Sequence, residues 1–387
     1  MDTLAKNVLL YSKRREMWEC GNKFQSKMLE GNFNSMNEII SATDEIYFDH
    51  IHNFVVEDDM ERLGAGAEYE LERRANNPVD NIGFSSGMPK WDDMIGYLRR
   101  DMLAFISARA KVGKSMLGLN VARHVAQFEE LPVLYMDSEM SREEVRDRLV
   151  AHVAQVDISL IENGRWKSEE NAFRTQQAFK VVESLNIEYL SIRGMNIESI
   201  MSGCRRFLFK KVKRNHEGIF NQCLIVYDYL KLDYGGNIGD TWHLNLAKSV
   251  VNFKDMLGAT KTTGLVLGQQ NRSGIAKFDP KTHKTITQDT EDTVAGTDEI
   301  LKSSSNVSSL RFKTTEEKMR DGEEHGNVSL TPFVARHGRG GQWVQLSEGI
   351  WDRDSVNLVR TPEKMTIKEI STRGDLERAK SIAPHIK

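Results

Sequence analysis

"ISARAKVGKS", residues 106–115, ends in Gly113-Lys114-Ser115 directly after the apolar run Leu103-Ala104-Phe105-Ile106. A glycine, a lysine and a hydroxyl at the end of a buried strand suit the phosphates of a nucleotide. If a helix starts at Gly113, its free N–H groups and its dipole point at whatever follows the strand. Lys114 then neutralises the β/γ oxygens, and the Ser115 hydroxyl holds Mg²⁺. The phosphate-loop pattern G-x-x-x-x-G-K-[ST] asks for a glycine where this chain has Ala108. By itself the segment also reads as a chance glycine turn with a solvated lysine, so the rest of the chain decides.

From about residue 100 onward, apolar strand-like runs fall at 103–107, 132–137, 186–192, 222–228 and 264–268. Helix-like segments fill the gaps, notably 114–128, 141–152 and 240–258. Continuous apolar strands alternating with helices predict an α/β fold with a mainly parallel central sheet covered by helices. Such sheets bind ligands beyond the carboxyl ends of their strands. Further on, "SNVSSLRF", "NVSLTPFVAR" and "QWVQL" read as antiparallel strands joined by turns.

Residues 1–60 read as two helices ahead of that domain. Leu4, Val8, Tyr11 and Trp18 recur at helical spacing, Gly31 stops the first helix, and Ser35-Met36-Asn37-Glu38 caps the second. Residues 57–82 are charged, glycine-bearing and closed by Pro78, which suits a linker with one short helix.

The 387 residues carry a net charge of −3, which gives no global pull toward nucleic acid or anionic membrane. Three distant cysteines argue against a disulfide framework or structural zinc and fit a reducing cytosol. The N-terminus is too charged for a signal peptide, and no apolar run is long enough to span a bilayer. The expectation is a soluble, cytoplasmic protein with no membrane partner.

Four more positions carry chemistry. Asp228 ends the apolar run of "CLIVYDYLKLD". An ionised carboxylate there is expensive unless it faces a cation or a donor. A Walker-B aspartate holding Mg²⁺ through water meets that need, whereas an exposed strand end is the plainer alternative. Glu139 follows the strand at 132–137 and precedes the capping pair Ser141 and Glu144. It is placed to take a proton from the water attacking the γ-phosphate, or simply to sit well near a helix N-terminus. Gln269 ends "LVLGQ" and suits a γ-phosphate sensor, though a loop glutamine also satisfies backbone groups. Arg339 sits among Gly338, Gly340 and Gly341. A turn there holds its guanidinium clear of its own core, either solvated or reaching a neighbouring subunit's site as a finger.

Two stretches concern DNA. The long polar loop 271–299 has a length that is usually functional or disordered. In the basic run Arg205–Arg214, Phe207, Leu208 and Val212 have the spacing of a buried helical face, so its charges read as solvated.

In this order the motifs resemble a known family. "GMPKWDDMIGYLRRDMLAFISARAKVGKSMLGLN", residues 87–120, resembles the start of the RecA-like domain of DnaB-type replicative helicases. The phosphate loop of that family commonly begins Ala-Arg, as Ala108-Arg109 does here. The resemblance therefore assigns nucleotide contacts to Ala108, Arg109, Ala110, Lys111, Val112, Gly113, Lys114 and Ser115. "VLYMDSEM" is similar to the family strand ending in the catalytic glutamate, here Glu139. "LIVYDYLKLD" resembles the Asp-Tyr-Leu Walker B, with Asp228 and Ser115 on the metal, and "GQQNRS" resembles the segment of Gln269. "ARHGRGG" resembles the hairpin with a first basic residue, Arg336 or His337, followed by the finger, Arg339.

Residues 13–50 are similar to the linker helix region of such proteins. The resemblance implies a RecA-like P-loop ATPase core using ATP and Mg²⁺, preceded by an α-helical linker segment. It implies a homo-hexameric ring moving along single-stranded DNA, with primase, helicase loader and replicative polymerase as partners. A DNA-facing end near Thr293, Gly296 and Lys302 follows by alignment, Thr293 replacing a basic residue and Lys302 compensating. The family's globular N-terminal domain has no room here, which fits a phage replisome in a bacterial cytoplasm. The division expected is 1–60 helical, 61–82 linker, 83–360 ATPase domain and 361–387 tail. A strand-pairing filament ATPase and a loader or adaptor ATPase are the alternatives.

Overall fold

The computed structural model describes residues 3–31, 33, 38–39, 42–43, 46, 62–215, 218–230, 241–270, 277–279, 284–286, 298–322, 326–347 and 350–370. They fall into two compact units, Met1–Asp80 with Met195–Ile219, and Asn81–Gly194 with Phe220–Lys387.

The first unit begins with the 28-residue helix α1 (Thr3–Glu30). Tyr11 and Trp18 are 69% and 68% exposed on it, so this part of the expected apolar stripe is uncovered. The side chains of Leu4 and Val8, and the capping residues Ser35–Asn37, lie outside the described residues. Helix α2 (Ala67–Asn76) is the short helix expected in the linker, with nothing buried and Glu70 bridging Arg73 and Arg74. The unit also holds the later helix at Ile197–Lys211, started by the Asn196 side chain. There Phe207 and Leu208 are buried while Lys210 and Lys211 are exposed, as their helical spacing requires.

The second unit opens with helix α3 (Pro89–Ile95) and strand β1 (Met102–Ala108), then α4 (Lys114–Phe128) and β2 (Val133–Asp137). Helices α5 (Arg142–Ala154), α6 (Ile158–Glu162) and α7 (Glu169–Ser184) lead to β3 (Ile187–Ser191). With the helix of the first unit as α8, the chain continues through β4 (Leu224–Asp228), α9 (Thr241–Thr260) and β5 (Thr263–Gln269). A small pair follows, β6 (Lys277–Asp279) with β7 (Lys284–Ile286), then α10 (Asp298–Ser303) and β8 (Asn306–Phe312). The last elements are α11 (Thr315–Asp321), β9 (Val328–Ala335), β10 (Trp343–Ser347), β11 (Ile350–Arg353), β12 (Val356–Thr361) and β13 (Thr366–Glu369).

Nine strands form one sheet in the order β13-β12-β9-β8-β1-β5-β4-β2-β3. From β8 to β3 every pairing is parallel, and from β8 to β13 every pairing is antiparallel. β1, β2 and β4 are buried along their whole length, which is why they read as unbroken apolar runs. Trp91 of α3 is fully buried and donates its indole N–H to Ser308 Oγ at 3.1 Å, tying the start of the unit to β8.

The expected α/β sheet is present, with three differences at its far side. "SNVSSLRF" forms β8, which is parallel to β1 and antiparallel to β9, so it joins the two halves. "QWVQL" forms β10, paired with β11 in a separate two-stranded sheet. β12 and β13 extend the main sheet to Glu369, past the boundary expected at 360. They are held because Met365 and Ile367 enter the core, and because Asn120 of α4 bonds Met365 O at 3.0 Å and Ile367 N at 2.9 Å. The loop 271–299 is not structureless, since it contains the β6–β7 pair and the start of α10. Thr293 and Gly296 lie outside the described residues, while Lys302 is exposed on α10.

Candidate active site

Strand register brings the carboxyl ends to one edge. Ala108 pairs with Gln269, and Asp137 with Asp228. The chain leaves β1 through a tight reversal with left-handed residues at Lys111 (φ 67°) and Gly113 (φ 119°), and α4 starts at once at Lys114. Ala108 is still a strand residue, 1% exposed, its carbonyl taking Gln270 N–H at 2.9 Å. Its backbone is not left-handed, so nothing there requires the glycine of the general pattern. A cavity of about 510 Å³ opens over this edge. Ala108, Arg109, Ala110, Lys111, Gly113, Lys114, Ser115, Glu139 and Gln269 line it, together with Arg148, Tyr229, Arg360, Pro362 and Met365. Val112 instead turns inward and is 3% exposed.

The acidic wall is built by mutual satisfaction. Asp228 is buried, and Ser115 Oγ donates to its Oδ1 at 3.0 Å while Tyr135 OH donates to Oδ2 at 2.7 Å. Burial pushes the Asp228 carboxyl above its ordinary range, against the lowering pull of Tyr135, Lys114 and Ser115. Asp137 accepts from the backbone N–H of Glu139 at 2.6 Å and from that of Met140. Burial pushes its carboxyl up to about 6. Glu139 itself is exposed to the cavity, and its Oε1 accepts from Tyr229 OH at 3.0 Å. The ammonium of Lys114 lies 3.3 Å from the Tyr229 ring centroid, a close cation–π contact. One tyrosine thus touches both the lysine and the glutamate. Ser141 and Glu144 form the expected capping box just behind.

The turn carrying Arg339 lies elsewhere in this unit. None of residues 336–341 lines the cavity. The turn is pressed onto the end of α3, where Gly340 N–H bonds Met94 O at 2.9 Å. A Cβ on Gly338 would stand 2.1 Å from that same oxygen, so the glycine serves close packing. Arg339 is correspondingly not held clear of its own fold. Its Nε meets Asp93 at 3.0 Å and its NH1 meets buried Asp354 at 3.1 Å, an aspartate also paired with Lys90 at 3.0 Å. Arg336 and His337 are exposed, and the Arg336 guanidinium has no hydrogen-bond or ionic partner among the described residues. Burial and then the cations Arg99, Arg336 and Lys254 lower the His337 pKa.

Tyr135, Asp137, Arg148, Tyr229 and Arg360 were not singled out from sequence. Asp137 had the same signal as Asp228, a carboxylate closing a buried strand. The others become visible only through register and packing.

Residues 83–283, more than half of the chain, match the family described as DnaB-like helicase C terminal domain. The chain belongs to that family. Among its relatives, a "Probable replicative DNA helicase" of Trieres chinensis is 28% identical over 163 residues, 42% of this chain and 34% of that protein. A "Replicative DNA helicase DnaB" of Nostoc sp. is 27% identical over 203 residues, 52% of this chain and 22% of that protein. The matched part thus spans about a third or less of these two curated relatives. In three dimensions the chain is similar to a solved ATPase domain, with TM-score 0.64 and 16% identity, covering 81% of this chain and all of that one. It is also similar to a DnaB-like replicative helicase solved to show its interactions with primase, with TM-score 0.68 and 14% identity. That match covers 95% of this chain and 78% of the other. These likenesses carry the fold alone, and the mainly parallel α/β sheet expected for this chain stands.

Proposed function

We propose that this chain is an ATP-driven replicative DNA helicase, hydrolysing ATP with Mg²⁺ in the cavity beyond β1, β2, β4 and β5. The observation that carries the reading is the Ser115–Asp228 hydrogen bond beside Lys114, inside a DnaB-like domain. A hydroxyl and a carboxylate are the hard oxygen donors that suit Mg²⁺ with bound waters, and a helix N-terminus with a lysine suits phosphate. The residues present therefore fit Mg·ATP. Ser115 and Asp228 would hold the metal, which would supply positive charge to offset the charge developing on the phosphates.

The chain's own groups do the rest. The loop Ala108–Val112 and Gly113 shape the backbone cradle, and Lys114 places a positive charge on the phosphates. Ser115 and Asp228 would hold the metal side. Glu139 accepts the proton of the attacking water, its carboxylate aimed by Tyr229, and Gln269 reports the γ-phosphate from the end of β5. The engagement of Arg339 with Asp93 and Asp354 favours exposed Arg336, with His337 beside it, for the basic group sent to a neighbouring subunit's site. Arg339 then anchors the turn that presents it.

The assembly proposed is a homo-hexameric ring on single-stranded DNA. Residues 1–60 link subunits, 61–82 connect, and the motor body runs from 83 to about 370. Lys302, with Thr293 and Gly296, faces DNA, and primase, loader and polymerase are the partners. Lys114→Ala should lower ATP turnover by about a thousandfold, as loss of a charge-stabilising group typically does. Glu139→Gln should still bind ATP with Mg²⁺ but hydrolyse it roughly a hundredfold or more slowly. Near-normal turnover by Lys114→Ala would sink the assignment of this cavity.

A further inference from the structure

We propose that Arg360 is a phosphate-binding residue acting in cis, which grips the phosphate chain of a nucleoside di- or triphosphate in its own subunit's cavity. The proposal rests on reading that cavity as the nucleotide site and extends it to a strand no phosphate-loop motif includes. Strand β12 is antiparallel to β9, which is antiparallel to β8, which is parallel to β1. β12 therefore runs with β1, and its last residues emerge at the same edge as Ala108. Along β12, Val356 and Leu358 are fully buried, and side chains alternate with period two. Arg360 thus takes the next position on the core-facing side, where an apolar residue would continue the pattern.

The side chain lies against the phosphate loop. A Cβ on Gly113 would stand 3.0 Å from Arg360 Nε and 3.2 Å from its Cδ. The arginine lines the cavity beside Lys114. Its backbone is clamped by one amide, Asn327, which donates to Arg360 O at 3.1 Å and accepts from Arg360 N at 2.9 Å. The guanidinium carbon lies 5.6 Å from the Phe312 ring centroid, so an aromatic face supports it. Yet Nε is buried without a hydrogen-bond partner, and the guanidinium has no carboxylate partner among the described residues. An arginine cannot shed its proton to escape that cost. An always-charged planar fork with open donors at a phosphate loop suits an anion with two oxygens to offer, as a phosphate has. A nucleobase stacked on it would leave the in-plane Nε–H still unsatisfied.

The test uses the full chain, with ADP and inorganic pyrophosphate as probes in thermal-shift and calorimetric binding measurements. Arg360→Met keeps the aliphatic stem over Gly113 and removes the donors. Its ADP dissociation constant should rise about ten- to a hundredfold, the worth of a charged hydrogen bond. The pyrophosphate shift should fall with it, and Arg360→Lys should lie between. Without ligand, the melting temperature of Arg360→Met should equal or exceed the wild type, because an unsatisfied buried donor is gone. ADP affinity unchanged in Arg360→Met would overturn the proposal. So would a lost ADP shift with an intact pyrophosphate shift, which indicates a base contact. A wild-type chain that ignores both probes would instead defeat the reading of the cavity itself.

Discussion

The two halves of the sheet treat charge in opposite ways. The parallel half supplies acids, and each is answered from within. Asp228 has Ser115 and Tyr135, Asp137 has two backbone N–H groups, and Glu139 has the Tyr229 hydroxyl. The antiparallel extension supplies guanidinium groups, and two of them are unanswered. Arg360 has a buried Nε with no partner, and Arg336 is exposed with no ionic partner among the described residues. Arg339, on the same extension, is the contrast, closed by Asp93 and Asp354. A carboxylate can be stabilised by neutral donors or can take up a proton, so a fold can finish it alone. An arginine keeps its charge, so a buried guanidinium donor that meets no acceptor in its own chain needs one from outside it.

The largest effect expected from that contrast separates Arg336 from Arg339. Arg336→Ala should leave the melting temperature unchanged and lower turnover about a thousandfold, the usual worth of a finger supplied in trans. Mixing Arg336→Ala with Lys114→Ala chains should restore single-turnover hydrolysis in part, since some sites then hold both a lysine and a finger. Arg339→Ala should do the reverse. Asp354 keeps Lys90, so stability falls by only about 1–2 kcal/mol, and turnover stays within about tenfold of wild type. Abolished turnover in Arg339→Ala at unchanged stability would return the finger to Arg339 and break the distinction between open and closed guanidinium groups.

What was legible in the sequence follows the same division. β1, β2, β4 and β5 carry mostly apolar runs, and Asp228 and Gln269 close two of them with residue types that advertise a task, so run and site residue were read together there. The antiparallel side gives weaker signals. β12 and β13 are short, and the buried part of β12 carries Asn357 as well as Val356 and Leu358. Their membership depends on Asn120, far away in sequence, holding β13. At the Arg339 turn the glycines suggest freedom, whereas Gly338 permits backbone to touch Met94 O. Tyr135 looked like one more apolar strand residue, and only the fold shows its hydroxyl donating to Asp228.

A carboxylate outside the cavity sharpens the acid side of the comparison. Asp92 of α3 is fully buried and accepts from Ser85 Oγ at 2.6 Å and Ser86 N at 3.0 Å, with no cation paired to it among the described residues. Burial outweighs those donors and pushes its carboxyl up to about 6. Between about pH 4 and 6 the folded chain therefore holds a proton that the unfolded chain has released. Stability must fall as pH rises through that window, by roughly 2–3 kcal/mol from this group. Asp137, also near 6, adds a slope of the same sign. Glu317 opposes it at lower pH. Burial pushes its carboxyl up, but Arg311 overrides that and holds it down to about 2, so its stabilisation is lost as pH falls toward that value. Denaturant titrations of Asp92→Asn across pH 4–6 should give a flatter dependence than wild type. An unaltered slope would mean that the two serine donors suffice to keep Asp92 charged.

The smallest effect tests whether the acids are only satisfied or also aimed. Tyr135 is fully buried, and its hydroxyl fixes Asp228 Oδ2, which leaves Oδ1 directed at Ser115. Tyr135→Phe removes one oxygen without opening a cavity. The orphaned carboxylate oxygen should cost about 1–2 kcal/mol of stability. A donor behind a metal-side carboxylate typically contributes about tenfold or more in metal affinity. Half-maximal turnover should therefore need about tenfold more Mg²⁺ in Tyr135→Phe, while ADP binding without metal stays at the wild-type value. A loss of stability with an unchanged Mg²⁺ requirement would reduce Tyr135 to a packing residue. Asp228 would then take its aim from Ser115 and the buried strand end alone.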